Sequence, residues 1–561
     1  MRKKTWIRAG VTMAAALFLL LRIPGAKAAR ERILTAGCPG QCGETVVSMT
    51  KGDKMVLSLP GAWDASRVTL EMAGVEELYL GRDPVPFVPG VPGDLREKIG
   101  GTYQLGDGRG KTMGYVTIQQ GSALPALFLT VNGDELKAVN RSKENRISAG
   151  HALYMEGDGS VTYDGEITQL KGRGNNTFRY QKKPYQIKLA QKADLSGMGE
   201  GKTWVLLANW CDISLMRNQI VLDLSREAGL AYAVDCRQTD VWINGSYNGL
   251  YLMTEKIQAG KNRIPVTNLE KAAAAVAGQA AAPGKMKKES TAELPLMRYY
   301  PDMKDPEDIT GGYIATIEKY ARLRDYKLAG FRTPGGLSIQ IKEPTEPSRA
   351  QTEYLGRLIT GMQDALKAQD GRNPATGKSW EEYLDAESFA IRSLTEEWTK
   401  NYDLLGGSQF LWKDSDRIDP LIHAGPAWDY DLSFGNMRDR GYHPEGNYIS
   451  QYRKGSNIYW LLEQRESFRE TEIRLWREVF RPALAVLLGE KEGREGHILR
   501  SLDDYRAEIE ASALMNFARW GVNSAASGPY SGESFDHAFR YLKDWIWRRT
   551  EWMDGAFGTA P

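Results

Sequence analysis

Residues 401–436, NYDLLGGSQFLWKDSDRIDPLIHAGPAWDYDLSFGN, constrain the fold more than any other stretch of the chain. They begin where a helical stripe of Phe389, Leu394 and Trp398 stops, pass Asp403, and reach a Gly406-Gly407 break. Two short apolar runs, 410–412 and 421–422, flank the polar turn Asp414-Ser415-Asp416 and predict a hairpin. Asp429 and Asp431 then stand two residues apart, on one side of what reads as an extended segment. Carboxylates returned to one another by a hairpin can hold a hard divalent cation. Such a cation takes one or two protein carboxylates and completes its shell with phosphate oxygens and water.

The order helix, loop Asp, hairpin, metal-binding Asp is also the order of catalytic parts in protein kinases, although neither H-R-D nor D-F-G is present. Read alone, Asp403 also fits a loop cap and the Asp429/Asp431 pair a wet strand face. What surrounds these residues decides between the two.

At 561 residues the chain exceeds one core, so two or more domains are expected. Lys+Arg at 73 against Asp+Glu at 71 leaves +2, which gives no support for bulk nucleic-acid binding, so any electrostatic specialisation must be local. The first 28 residues carry Arg2, Lys3 and Lys4, an apolar run at 11–21, and Ala26-Lys27-Ala28. That is the pattern of a secretory signal cut after Ala28, with no later membrane-length stretch. An exported or cell-surface protein is expected. Four cysteines suit an oxidising destination and permit three pairings, of which the sequence-near pairs Cys38/Cys42 and Cys211/Cys236 are favoured. Zinc is disfavoured, since neither spacing is C-x-x-C and no histidine is near.

Residues 29–121 are rich in Gly, Pro and short β-type runs. Beyond them, residues 171–192 hold seven cations (Lys171, Arg173, Arg179, Lys182, Lys183, Lys188, Lys192) and no acid. Gly172 and Gly174 allow close backbone approach, and 183–189 alternates as a strand with Lys188 on the face opposite the apolar residues. A triphosphate site and a solvated basic hairpin both fit. A strand at 204–208 follows, then a helix from Asp212 or Ser214 to Gly229 that carries Arg217 and Asn218 near its start. Next comes a hairpin across Asn244-Gly245, closed by Glu255. In a kinase-like site an acid pairs the phosphate-binding lysine. Residues 272–290 are low-complexity Ala/Gly/Lys sequence, expected to lie outside the core as a loop or linker. Strands at 313–317 and 337–342 each finish in a charge, Glu318 and Lys342, which can face one cleft. From residue 347 onward the pattern is helical, apart from the 401–436 stretch.

The ordered blocks KGRGNNTF, KKPYQIKL, LLANWCDISLMRN, NGSYNGLYLMTEKI, GGYIATIE, LSIQIKEP, TKNYD and GPAWDYDLSFGN resemble the family of the spore coat protein H (CotH) kinases over roughly residues 125–520. The resemblance implies an α+β, reduced protein-kinase-like bilobal fold. Its β-rich N-lobe would span about 122–345, with an insertion at 270–292, and its helical C-lobe about 346–555. These would follow the signal peptide (1–28) and a β-rich accessory region (29–121).

The resemblance also implies an exported atypical kinase that moves the ATP γ-phosphoryl group to a hydroxyl of a protein substrate, using Mg²⁺ or Mn²⁺. Asp403 would be the catalytic-loop carboxylate, Asp429 the metal ligand with Asp431 beside it, and Lys183 the phosphate-binding lysine, with Lys182 and Lys188 as rivals. Arg173, Glu255, Arg217 and Asn218 complete the expected nucleotide-binding set. One position departs from kinases, which carry Asn five residues after the loop Asp as a second metal ligand. Here that position is Ser408, a weaker ligand. The alternative is therefore a catalytically silent kinase-like module that binds a surface or extracellular protein. A glycosidase needs carboxyls about 5–10 Å apart across a cleft, for which the adjacent Asp429/Asp431 pair is poorly suited.

Overall fold

The computed structural model describes residues 33–41, 45–51, 53–277, 284–326, 328–404, 406–439, 441–453, 457–493, 498–522 and 534–558. The expected signal peptide, and with it any cleavage after Ala28, lies outside the described residues.

Alternation of apolar and polar residues along the basic strand Tyr185–Ala193 buries Tyr185, Ile187 and Leu189 and leaves Lys188 exposed. This strand belongs to a ring. Gly201–Leu207, Tyr185–Ala193, Val161–Gly172, Gly150–Met155, Ala126–Thr130, Cys236–Ile243 and Ser246–Glu255 are neighbours in that order, and the last pairs back to the first through Trp204 and Glu255. Closure removes free edges and buries an apolar centre of Leu127, Tyr154, Ile187, Trp204 and Tyr251. The turn joining the last two strands carries Asn244 at φ 51° and Gly245 at φ 76°, the doubly positive geometry that Asn-Gly supplies at low cost.

The N-terminal strands pack against the outside of this ring. Val46–Val47 pairs in parallel with Ser246, which brings Leu34–Gly37 and Thr69–Met72 into the same sheet. A separate sheet of Met49–Lys51, Lys54–Leu59, Thr112–Gln120, Thr102–Asp107 and Leu78–Leu80 shares a core with Phe128, Trp242 and Met515. The Trp242 indole donates to the Ser58 carbonyl at 3.3 Å.

A third sheet runs in the order Lys287–Glu289, Leu296–Tyr299, Gly330–Arg332, Ser338–Glu343, Tyr313–Ile317, Gln409–Lys413, Ile422–Ala424. The expected hairpin is thus its last pair of strands, antiparallel through Trp412 and His423. Below it lies the helix Ala386–Thr399, capped by Asp385, whose side chain accepts from the Ser388 amide at 2.7 Å. This helix is buried on every side from Ser388 to Thr399, so its charges are paired: Arg392 with Glu396 at 2.6 Å and Glu397 with Arg549 at 2.7 Å. Lys400, at φ 47°, ends it and turns the chain toward Asp403. The helices Leu502–Trp520 and Phe535–Phe557 complete the helical part.

Three expectations are corrected. The stretch at 270–292 is not all loop: Leu269–Ala277 is helical, with Leu269 and Ala273 buried, and Lys287–Glu289 is an edge strand. Alanine-rich sequence favours helix once an apolar contact is available. Cys211 and Cys236 are buried free thiols, not a disulfide. The expected pairing of Cys38 with Cys42 involves a residue outside the described ones. Finally, Asp429 is not on an extended strand. Its φ of 72° is left-handed, and the strand before it stops at Ala424.

Candidate functional site

The stretch after the hairpin is held from below by the helix Arg217–Glu227. Asp212 bonds the guanidinium of Arg217 and accepts from its backbone N–H at 2.9 Å, and Arg217 Nε donates to the Ser433 carbonyl at 3.0 Å. Asn218 Oδ1 accepts from the Tyr430 N–H at 2.7 Å. Both side chains are buried, so Arg217 and Asn218 shape the backbone around Asp429 and Asp431. Asn436 adds a bond from Nδ2 to the Asp431 carbonyl at 2.6 Å.

The loop with Asp403 is fixed from a different direction. Asn401 Oδ1 accepts from the Asp403 N–H at 3.1 Å, and the Gly407 N–H donates to the Ile317 carbonyl at 2.9 Å. Gly406 has φ 141°, and a Cβ there would lie 2.9 Å from the backbone nitrogen of Lys319. Glycine is needed for both reasons. The result seats the loop on the end of the strand Tyr313–Ile317, with Lys319 Nζ 3.5 Å from Asp403 Oδ1.

Asp403, Asp429 and Asp431 are brought together. Burial and the neighbouring Asp429 charge push Asp403 up to about 6, with Lys319 opposing. Burial also raises Asp429, opposed by the Ser408 hydroxyl, Arg173 and Arg322. Asp431 is raised well above its ordinary value, first by burial and then by Asp429, Asp212 and Asp403. Ser408 Oγ donates to Asp429 Oδ2 at 3.1 Å. A set of carboxylates that repel one another in partial burial is a set that a cation relieves. Among the described residues, no group of three or more His, Cys, Asp or Glu side chains is arranged to enclose a metal ion by itself. Two carboxylates are the protein share of a Mg²⁺ shell that phosphate oxygens and water complete.

Of the expected cations, Arg173 reaches this centre. Its guanidinium sits 5.2 Å from the Trp428 ring, its charge acts on Asp429, and its buried Nη1 has no hydrogen-bond partner. Gly174, at φ 83°, makes the turn that presents it. The three lysines go elsewhere. Lys182 is buried, bonding the Leu250 carbonyl and Asn516 Oδ1 (2.8 Å), and lies 4.4 Å from the Tyr251 ring. Lys183 donates to the Phe178 carbonyl at 2.7 Å, and Lys188 is exposed. None of them forms an ion pair with Asp403, Asp429 or Asp431. Glu255 pairs with Arg263, not with a lysine of the basic strand, and accepts from the Tyr232 hydroxyl at 2.9 Å. Its carboxylate ties the end of the ring together.

Two cations at the centre, Lys319 and Arg322, come from a stretch that offered no sequence signal. They lie at and within the short helix Tyr320–Asp325 that follows the Tyr313–Ile317 strand. Glu318 and Lys342 did offer one, as strand-terminal charges, and their charges do act on each other. No helix among the described residues is long and apolar enough to cross a membrane.

The family model described as CotH kinase protein matches residues 170–553, a span that includes Arg173, Arg217, Asp403 and both site aspartates after the hairpin. No curated protein matches the chain.

Proposed function

The chain belongs to the CotH kinase family, and from that premise we propose that it is an exported phosphotransferase that moves the γ-phosphoryl group of ATP to a protein hydroxyl. The observation that carries the reading is the convergence of Asp403, from the loop after the buried helix, with Asp429, from the turn after the hairpin, opposite Arg173. In this reading the strand ring and the sheet joined to it act as an N-lobe, the helices as a C-lobe, and the nucleotide lies between them.

Asp403 is the carboxylate that orients the acceptor hydroxyl and takes its proton at Oδ, while the hydroxyl oxygen bonds to the γ-phosphorus and ADP leaves with the electrons of the broken P–O bond. Asp429 would hold the metal, with Asp431 beside it, and Ser408 fixes the Asp429 carboxylate through its hydroxyl. A bound Mg²⁺ or Mn²⁺ supplies charge neutralisation at the phosphates. Arg173 adds a fixed positive charge from the opposing loop. Arg217 and Asn218 position the aspartates from beneath. Export rests on the N-terminal pattern of residues 1–28, and the acceptor is a protein of the surface or extracellular space.

One observation favours a second reading, a kinase-like module that binds a partner without transfer. Ser408 stands where kinases place a second metal-ligating Asn, and its hydroxyl is already committed to Asp429. Incubating the purified protein with ATP, Mg²⁺ and a mixture of surface proteins, and following transfer of the γ-phosphate, tests the first reading. Transfer that disappears in Asp403→Asn supports it. ATP binding without any transfer, in wild type and variant alike, supports the second.

A further inference from the structure

Arg146 and Lys171 stand directly opposite each other on the antiparallel strands Arg146–Ile147 and Val161–Gly172. Their neighbours in that ladder, Ile147 and Leu170, point into the apolar centre of the ring, so the two cations point outward. Gln186 of the basic strand continues the row on the other side of Lys171. In the next outward row Gln169 stands opposite Lys188, and Lys188 opposite Thr203. Lys171 and Lys188 thus form one diagonal of a square block, and Gln169 and Gln186 the other. The Gln186 amide donates to Gln169 Oε1 at 3.4 Å across its middle.

No carboxylate neutralises this face. Among the described residues, Arg146, Lys171 and Lys188 make no ion pair and no side-chain hydrogen bond. Glu144, in the turn before Arg146, is exposed, and Asp164, toward the far end of the long strand, is taken by His151 at 2.8 Å. Like charges directly opposite on a ladder destabilise it. Lys171 is half-buried, and burial first, then the charges of Lys256, Arg146 and Arg173, hold its ammonium below the usual lysine range. An ordinary solvated surface intersperses both signs, whereas this one keeps a single sign at a cost in stability. That is the character of a surface that an anionic partner covers.

The shape of the face selects among anionic partners. None of Arg146, Gln169, Lys171, Gln186, Lys188 and Thr203 is aromatic, so the face lacks the platforms on which the bases of a single strand stack. It is instead a strand surface on which same-side residues repeat about every 7 Å, the repeat of carboxylates along one side of an extended peptide. The carboxamides supply donors and acceptors for such a peptide between the charges. Lys171 also precedes by two residues Arg173, whose charge acts on Asp429, so the face leads toward the candidate site.

We propose that the outer face formed by Arg146, Lys171 and Lys188, with Gln169 and Gln186, docks an extended Asp/Glu-rich segment of a protein partner. Identifying that partner as the phosphoacceptor rests on the phosphotransferase reading. The docking itself does not.

The test is fluorescence anisotropy with the full chain and a labelled peptide of alternating glutamate and serine, about ten residues long so as to cross the face. A lysine–serine peptide and a single-stranded oligonucleotide of equal charge serve as comparisons. Wild type is expected to bind the acidic peptide with an affinity that falls as salt rises. Lys171→Gln and Lys188→Gln are each expected to weaken binding about two- to fivefold, and the double variant about tenfold, while Lys171→Arg retains it. The unfolding midpoint is expected to hold or rise in Lys171→Gln, because repulsion by Arg146 is relieved. Wild type that does not bind the acidic peptide would overturn the proposal. So would a double variant that binds it as wild type does, or an oligonucleotide that binds as tightly. Peptide docking that depends on Lys171 and Lys188, in a protein that transfers no phosphate from ATP, would sustain the docking face and count against the phosphotransferase reading.

Discussion

Asn218 Oδ1 accepts a 2.7 Å hydrogen bond from the backbone N–H of Tyr430, the residue between Asp429 and Asp431. The bond ties a helix that begins near the ring to the turn that presents both carboxylates. Asn218→Ala leaves that buried N–H unpaired, at a cost of about 1–3 kcal/mol. A lowered unfolding midpoint is expected, with a smaller stabilisation by ATP and Mg²⁺ than in wild type. An unchanged ligand response would separate Asn218 from the site.

Gly406 is the second test of how the site is assembled. Alanine there meets both a φ of 141° and the backbone nitrogen of Lys319 at 2.9 Å, so the loop must lift away from the Tyr313–Ile317 strand. Gly406→Ala is expected to abolish transfer while leaving the near-ultraviolet circular dichroism of the core unchanged. Full activity in this variant would show that the seating of Asp403 on Lys319 is unimportant.

Asp223 gives the fold a pH dependence. It lies on the Arg217–Glu227 helix, and burial raises it to about 7 although the Tyr505 hydroxyl donates to it at 2.6 Å. The folded protein holds this proton more tightly than the unfolded chain does. The contribution is therefore complete below the unfolded value near 4 and is lost as pH rises through about 7. Asp240, raised to about 6, acts in the same direction. Asp223→Asn is expected to flatten the fall in unfolding midpoint between pH 5 and pH 8. An unaltered slope would place the titration elsewhere.

The cysteines make a chemical prediction. Cys211 and Cys236 are buried thiols, and burial raises both. Alkylation of these two should require denaturant. Ready labelling of either in the native protein would contradict their burial.

Much of this architecture was legible in the sequence because its signals are local. Asn244-Gly245 specifies its hairpin, Asp414-Ser415-Asp416 separates the two strands of another, and the stripe of Phe389, Leu394 and Trp398 marks the central helix. The order of Asp403 and Asp429 along the chain likewise anticipated their meeting. The missing parts depend on tertiary placement. Nothing local reveals that Lys182 is consumed by Asn516, more than three hundred residues away in sequence, or that Glu255 pairs with Arg263 inside the ring. A bulge at Lys342 and a left-handed Asp429 are likewise consequences of pairing and docking. The spacing of Asp429 and Asp431 suggested a strand, but the Asn218 and Arg217 contacts hold that segment as a turn.

The central claim, a metal-dependent nucleotide site on Asp429 served by Asp403, is tested most directly by thermal unfolding of wild type, Asp429→Asn and Asp403→Asn with ATP, with Mg²⁺, and with both. A ligand that binds only the folded state raises the midpoint by mass action. The account predicts a rise with ATP and Mg²⁺ together that Asp429→Asn loses and Asp403→Asn keeps, with transfer lost in both. No rise for wild type at millimolar ATP and Mg²⁺, or a rise that survives Asp429→Asn unchanged, would contradict it.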